Sequence, residues 1–314
     1  MQLTYVERRF HTLNRLRLSE FQPVISMIDP AEGTYEPVTV INPKVRAVPV
    51  FFDSPHSGSM YPDDFRAAAN HLTLRRMEDA FVDELFEAAP NCGAILIAAR
   101  FPRGYIDPNR SDDDIDPNAL SDWRGKANPT SKSEKGKGLI WTHVHGLQSL
   151  YNRKITDFEI NHRIETYWRP YHAAVHNAYE TLYAQFGCVF HLNCHSMRSM
   201  GNQHGVNGVV SRPDFVISDH DGTSSESAFL DTVITYLRET GANVDVNQPF
   251  KGAELTKRYS DPSCNKHALQ IEINRGLYMN ETTVEKSTNF ENMRTTMSGL
   301  AQTICNFAAE PSTE

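Results

Sequence analysis

Short apolar runs of strand length alternate along the chain with segments of helical spacing. Val48, Val50, Phe51 and Phe52 form the first clear run, broken by Ser54-Pro55 and followed by a turn at His56-Ser57-Gly58. Leu74, Met77, Phe81 and Leu85 then recur close to the period of a helix, which predicts a helix over 74–89 with Thr73 as its N-cap. Ala94 to Ala99 is apolar at every position, as buried parallel strands tend to be. A helix over 157–186 is expected to be interrupted at Trp168-Arg169-Pro170, because proline removes a donor and crowds the preceding turn. Cys188 to Leu192 is a further strand that ends in Asn193-Cys194-His195-Ser196. Short strands at 215–218 and 244–246 flank a helix at 227–240 stopped by Gly241; a strand at 267–273 and a helix at 290–307 close the pattern. Segments 21–27 and 37–41 could be two more strands, in a weakly patterned N-terminal stretch, 1–45. Strands alternating with helices predict an α/β fold, a three-layer sandwich with a mainly parallel or mixed central sheet, formed as one domain over 1–314. Residues 111–150, charged and rich in Gly and Lys, break the pattern and read as a surface insertion or lid.

Composition narrows the function classes. A chain of 314 residues has ample length for a large core. Its formal charge of -8 argues against nucleic acid as a partner, since phosphate binding wants a basic face, although a local basic pocket for a small acid stays open. No apolar run is long enough to span a membrane, and MQLTYVERRF is too mixed and charged for a leader. The five cysteines, odd in number and without CxxC pairing, suit a reducing cytoplasm.

The candidate chemistry gathers at strand ends, where open α/β sheets place their ligand crevice. His56 and His195 each follow a strand and each precede a serine, a disposition that would hold a cation. Two histidines and one carboxylate would make a zinc site of the catalytic type, with a position left for water. The carboxylate could be Asp53, Glu78, Asp79, Asp83 or Glu84. Asp79 and Asp83 would share one helix face, with Asp79 nearer the N-terminus, where the helix dipole suits an anion. Glu272 stands between Ile271 and Ile273 in a buried-type strand, so burial would raise its pKa towards that of a general base; the rival is an ion pair with Arg258 or Arg275. Arg103 and the pair Asn109-Arg110 are natural anion receptors. His172 and His176 have i, i+4 spacing but lack the glutamate of HExxH, and Cys194 should point away from the face of its neighbour His195.

The stretches FDSPHSGSMYP (52–62), MEDAFVDELF (77–86), FPRGYIDPNR (101–110), RPYH (169–172), NCHSM (193–197), RPDFVISDHDGTS (212–224), TKRYSDP (256–262) and HALQIEINRGLYMNE (267–281) resemble the N-formylglutamate amidohydrolase family, whose fold is similar to zinc carboxypeptidases and aspartoacylases. The resemblance implies that His56, Asp79 and His195 bind Zn2+ and that Glu272 is the general base. It also implies that Asn109 and Arg110 hold the substrate carboxylate, with Arg103 on the oxyanion or a second carboxylate and Tyr259 on a closing loop. It implies hydrolysis of an N-formyl amino acid, N-formyl-L-glutamate foremost; another N-acyl amino acid, or a silent small-acid binder, is the alternative. The chain departs from the family or its carboxypeptidase relatives at Ser59, Asn193 and Ser225.

Overall fold

The computed structural model describes residues 36–144, 148–202 and 208–310, so the 21–27 segment lies outside the described residues. A sheet of seven strands runs through its centre: β1 (Val38–Ile41), β2 (Val50–Ser54), β3 (Ile95–Ala99), β4 (Val189–Met197), β7 (Phe215–Ser218), β8 (Val244–Val246) and β9 (Lys266–Asn274); β5 (Met200–Asn202) and β6 (Val209–Ser211) form a separate hairpin. The order is β1-β3-β2-β4-β9-β7-β8. Strands β3, β2, β4 and β9 are parallel, while β1 and β7 pair antiparallel with β3 and β9, so the sheet is mixed.

Alternation along each strand sorts the core into two layers. Val50, Phe52, Leu192 and Cys194 face helices α5 (Ser227–Glu239) and α6 (Phe290–Ala309) on one side. Phe51, Ile95, Ile97 and Val189 face helix α4 (Arg169–Phe186) on the other, through Tyr171, Val175 and Leu182. Much of 111–150 belongs to this second layer: Ile115, Leu120, Leu139, Ile140, Trp141 and Leu150 are buried, and 121–132 is its mostly exposed part. Its charge pattern hid an apolar minority that packs.

Three local expectations are corrected. The helix expected over 74–89 is two short pieces, α1 (His71–Arg75) and α2 (Val82–Leu85), and Asn70 rather than Thr73 caps the first, accepting from Thr73 N at 2.9 Å. Phe81 between them has φ +68°, a left-handed conformation that helical continuation cannot include. Asp79 therefore sits in a turn, its N–H donating to His56 O at 3.0 Å, and shares no helix face with Asp83. Pro170 does not break the 157–186 segment: α3 (Asp157–Arg163) passes into α4 through a wide π turn, Ile164–Trp168, with Pro170 at the start of α4, where a missing donor costs little. Strand β4 continues to Met197, carrying Asn193 and His195 within the sheet. Gly58 is needed for close approach: a Cβ there would lie 2.3 Å from Phe101 O.

Beneath the site the second layer is polar. Asp53 accepts from Tyr171 Oη (2.7 Å), His191 Nε2 (2.6 Å) and Asn193 Nδ2 (2.7 Å), and Tyr179 Oη meets His191 Nδ1 at 3.0 Å. Asp53 is fully buried, and despite the upward push of burial these partners hold its carboxyl below the ordinary value. It is an organiser of the core and stands apart from the histidine pair. Asp53→Ala would strand three buried donors, so urea denaturation is expected to show a loss of about 3 kcal/mol or more; a loss under ~1 kcal/mol would mean the cluster is dispensable.

Candidate active site

Four neighbouring parallel strands aim their carboxyl ends at one cavity. The chain steps from β2 to β3 on one side and places β4 on the other, so β2 and β4 flank the switch point where such sheets bind ligands. His56 follows β2 by two residues, His195 lies on β4, and Glu272 on β9 pairs with His195 in register. The loop after β3 supplies Arg103, Asp107, Asn109 and Arg110.

His56, Asp79 and His195 come together, with one potential ligand atom from each lying within 4.8 Å of the others. Asp79 Oδ2 is 3.3 Å from His56 Nδ1 and 3.0 Å from His195 Nδ1. The far nitrogens are held as well. His56 Nε2 donates to Asp107 Oδ1 (2.7 Å) and His195 Nε2 to Asn193 Oδ1 (2.7 Å), an assignment that leaves both Nδ1 lone pairs facing inward. Asn109 is oriented by Leu255 N, which donates to its Oδ1 at 3.0 Å, so its amide nitrogen points at the site, 3.0 Å from His195 Nε2. With the Nε2 proton of His195 donated to Asn193, Asn109 Nδ2 makes no hydrogen bond to that ring.

The electrostatics are lopsided. Burial would raise Asp79, but the positive charge of the Arg103 guanidinium outweighs it and holds the carboxyl well below the usual range. Arg275 Nη2 meets Asp79 Oδ1 at 2.7 Å and Arg103 Nη1 meets it at 3.4 Å, while Arg103 Nη2 meets Asp107 Oδ2 at 3.0 Å. Burial lowers His195 to about 4, so its ring is neutral in the neutral range. Glu272 moves the other way. Burial, then the charge of Asp79, push it up to about 8 against the pull of Arg103, Arg275 and Arg212. Neither Arg258 nor Arg275 pairs with it; Arg258 binds Glu254, Arg275 binds Asp79, and Glu272 Oε1 accepts from Gln270 Nε2 at 3.0 Å.

The cavity has a volume of about 480 Å³ and is walled by nine Arg and Lys side chains against two carboxylates, Asp79 and Glu272. Asn109, Arg110 and Arg103 all line it. Tyr259 does not, which corrects its expected place on a closing loop: its hydroxyl is 2.8 Å from His172 Nδ1, and His172 Nε2 in turn donates to Pro108 O at 2.8 Å. The pair braces the loop that carries Asn109. His172 is thus a core histidine, stacked on Trp168 at 3.7 Å and pushed by burial to about 3. Asp83 faces a separate hollow with Ser57, Ser59 and Glu87, and burial raises it to about 6. Asp107, Trp141 and the lysines of 132–137 were missed in the sequence. The signal for Asp107 was its place two residues before Asn109 in a crowded strand-end loop.

An α/β sandwich with two histidines and a carboxylate converging at its switch point, beside a buried glutamate, defines the hydrolase class that the sequence motifs suggested. The model of the N-formylglutamate amidohydrolase family matches residues 48–279, and the chain belongs to that family. It is 28% identical over 239 residues to the N-formylglutamate deformylase of Pseudomonas putida, covering 75% of this chain and 83% of the relative. A crystal structure of N-formylglutamate amidohydrolase from Ralstonia eutropha JMP134 superposes with a TM-score of 0.83 at 41% identity, covering 87% of this chain and 99% of that one. An Agrobacterium tumefaciens protein, 17% identical, shares the fold with a TM-score of 0.62 over 87% of this chain and 95% of its own.

The raised Glu272 has a consequence for stability. Its folded pKa, about 8, lies above the ordinary 4.5, so the folded state resists its ionisation, and the stability associated with the protonated form declines as pH rises through 8. In metal-free protein, Glu272→Gln is therefore expected to match the wild type near pH 4.5 and to exceed it in Tm by pH 8. Parallel melting curves across that range would refute the shift.

Proposed function

We propose that this chain hydrolyses the formyl amide of N-formyl-L-glutamate to formate and glutamate, using a zinc ion held by His56, Asp79 and His195. The observation that carries the reading is the convergence of two Nδ1 atoms and one carboxylate oxygen in a cavity rich in cations. The donor set fits zinc: two neutral imidazoles and one carboxylate are the ligands of a catalytic site with an open position, and both rings have their other nitrogen held. Bound there, zinc would polarise the formyl carbonyl and make a water more acidic, with its pKa near ~7.

The protein's own groups carry the remaining steps. Glu272, across the strand register from His195, takes the proton of the water whose oxygen adds to the formyl carbon. Arg103 faces the negative charge that develops on the carbonyl oxygen, a contact of the kind worth roughly 3–4 kcal/mol. As the C–N bond breaks, Glu272 returns its proton to the departing amine nitrogen. The Asn109 amide and the remaining donors of Arg110, both lining the cavity, hold the α-carboxylate and so orient the scissile bond. Work in the cytoplasm suits five cysteines of which none forms a disulfide, and no helix among the described residues is long and apolar enough to cross a membrane.

Purified protein is expected to contain zinc, to hydrolyse N-formyl-L-glutamate, and to lose that turnover on chelation and regain it on zinc addition. Glu272→Gln should lose about 10²–10⁴-fold in kcat while retaining the metal. Asp79→Ala should lose the metal and Asp83→Ala should keep it. Asp107→Asn should weaken zinc affinity by roughly 10–100-fold, read by competition with a chromogenic chelator. Full activity in metal-stripped protein, or normal turnover by Glu272→Gln, would end the reading.

A further inference from the structure

Glutamate carries two carboxylates, and Asn109-Arg110 can satisfy one. Arg110 has already committed Nη1 to Asn109 O (2.7 Å) and Nε to Lys137 O (3.2 Å), so its remaining donors suffice for a single acid. The second receptor has to lie beside the first, because the two acids of one small molecule are only a short aliphatic chain apart. Lys137, whose own carbonyl anchors Arg110, is that neighbour and lines the same cavity.

The local fold around Lys137 is built to present it. Gly136 and Gly138 are both buried; Gly136 has φ +71°, and a Cβ on Gly138 would lie 2.4 Å from Asp114 O. Lys137 N donates to Lys132 O at 2.8 Å, Leu139 N to Asp114 O at 2.8 Å, and Asp107 N to Leu139 O at 2.8 Å, so the turn is stitched to the loop that carries the site. The ammonium is half-buried, 5.8 Å from the Trp141 ring centroid, and no carboxylate of the described residues pairs with it. Burial and then Arg103, Arg198, Arg110 and Lys135 push it below the ordinary lysine value. Arg198 and Arg212 line the same cavity, but Glu281 acts on both, and Arg212 also feels the charge of Glu272 and lies over Phe250 at 4.8 Å.

We propose that Lys137 selects an acidic side chain, binding the substrate's side-chain carboxylate while Asn109 and Arg110 hold the α-carboxylate. The inference rests on the amidohydrolase reading of the same site and adds its specificity determinant.

N-Formyl-L-glutamine, equal in shape and neutral, is the discriminating substrate. Lys137→Met keeps the backbone carbonyl that anchors Arg110. It should lower kcat/KM for N-formyl-L-glutamate at least about tenfold, chiefly through KM, and that for N-formyl-L-glutamine less than about threefold. Lys137→Arg should restore most of the preference, and Lys137→Gln should repeat the Met result should Lys137→Met fold poorly. Calorimetric binding of L-glutamate and L-glutamine to zinc-loaded wild type and variants gives the same comparison without turnover. An equal loss on both ligands, or an intact preference in Lys137→Met, overturns the proposal. Wild type inert towards N-formyl-L-glutamate would instead overturn the activity reading, and the glutamate to glutamine affinity ratio would still decide the role of Lys137.

Discussion

One carboxylate, Asp79, is the hub on which the site depends. It is buried, with 1% exposure, and faces two imidazoles and two guanidiniums: His56, His195, Arg103 and Arg275. A buried charge is tolerable only when paired and hydrogen-bonded, and these four groups come from four different parts of the chain. The β2 turn, the loop after β3, strand β4 and the end of β9 are thereby tied to one point. The broken helix around it follows from the same requirement. A regular helix over 74–89 would carry Asp79 on its outer surface, whereas the left-handed Phe81 and the bond from Asp79 N to His56 O turn it inward.

The sheet explains why the histidines are held so firmly. Parallel strands buried on both faces normally carry apolar side chains, and most of β2, β3 and β4 does. Three of the exceptions, Asp53, His191 and Asn193, form one hydrogen-bonded cluster under the site, and Asn193 passes its order to His195. Asp107 does the equivalent work for His56 and is itself fixed by Arg103 and Trp141, whose Nε1 donates to Asp107 Oδ2 at 3.1 Å. Each ring therefore presents Nδ1 inward because its opposite nitrogen is engaged. Asn193 can orient His195 because Asp53 fixes its amide in turn.

Much of this was legible in the sequence wherever one residue's type and place told against its surroundings. A histidine after a strand and a glutamate between two isoleucines are costly to bury without purpose, and both proved to face the cavity. The helix break was not legible, because Leu74, Met77, Phe81 and Leu85 keep helical spacing through a segment whose course is decided by a long-range bond to His56. Asp107 looked like one more loop acid, since its partners are remote in the chain. Tyr259 was misplaced for the same reason: its hydroxyl is claimed by His172, 87 positions away. Lys137 was hidden inside a stretch that composition marks as surface, where a few buried residues such as Leu139 and Trp141 reverse the meaning of the lysines between them.

The charge distribution makes the cavity selective before any contact forms. A chain with net charge -8 repels anions on average, yet its cavity gathers nine basic side chains at the carboxyl ends of the strands. Within about one Debye length, ~8 Å at physiological salt, that local field outweighs the global one, so the cavity favours small anions although the chain as a whole is acidic. The same cations keep Asp79 ionised beside Glu272, whose raised proton affinity is set by burial and by Asp79 itself. Two carboxyls in one site are thus driven apart in acidity, one kept ionised among cations and the other raised in proton affinity, a split of the kind that general acid–base chemistry uses.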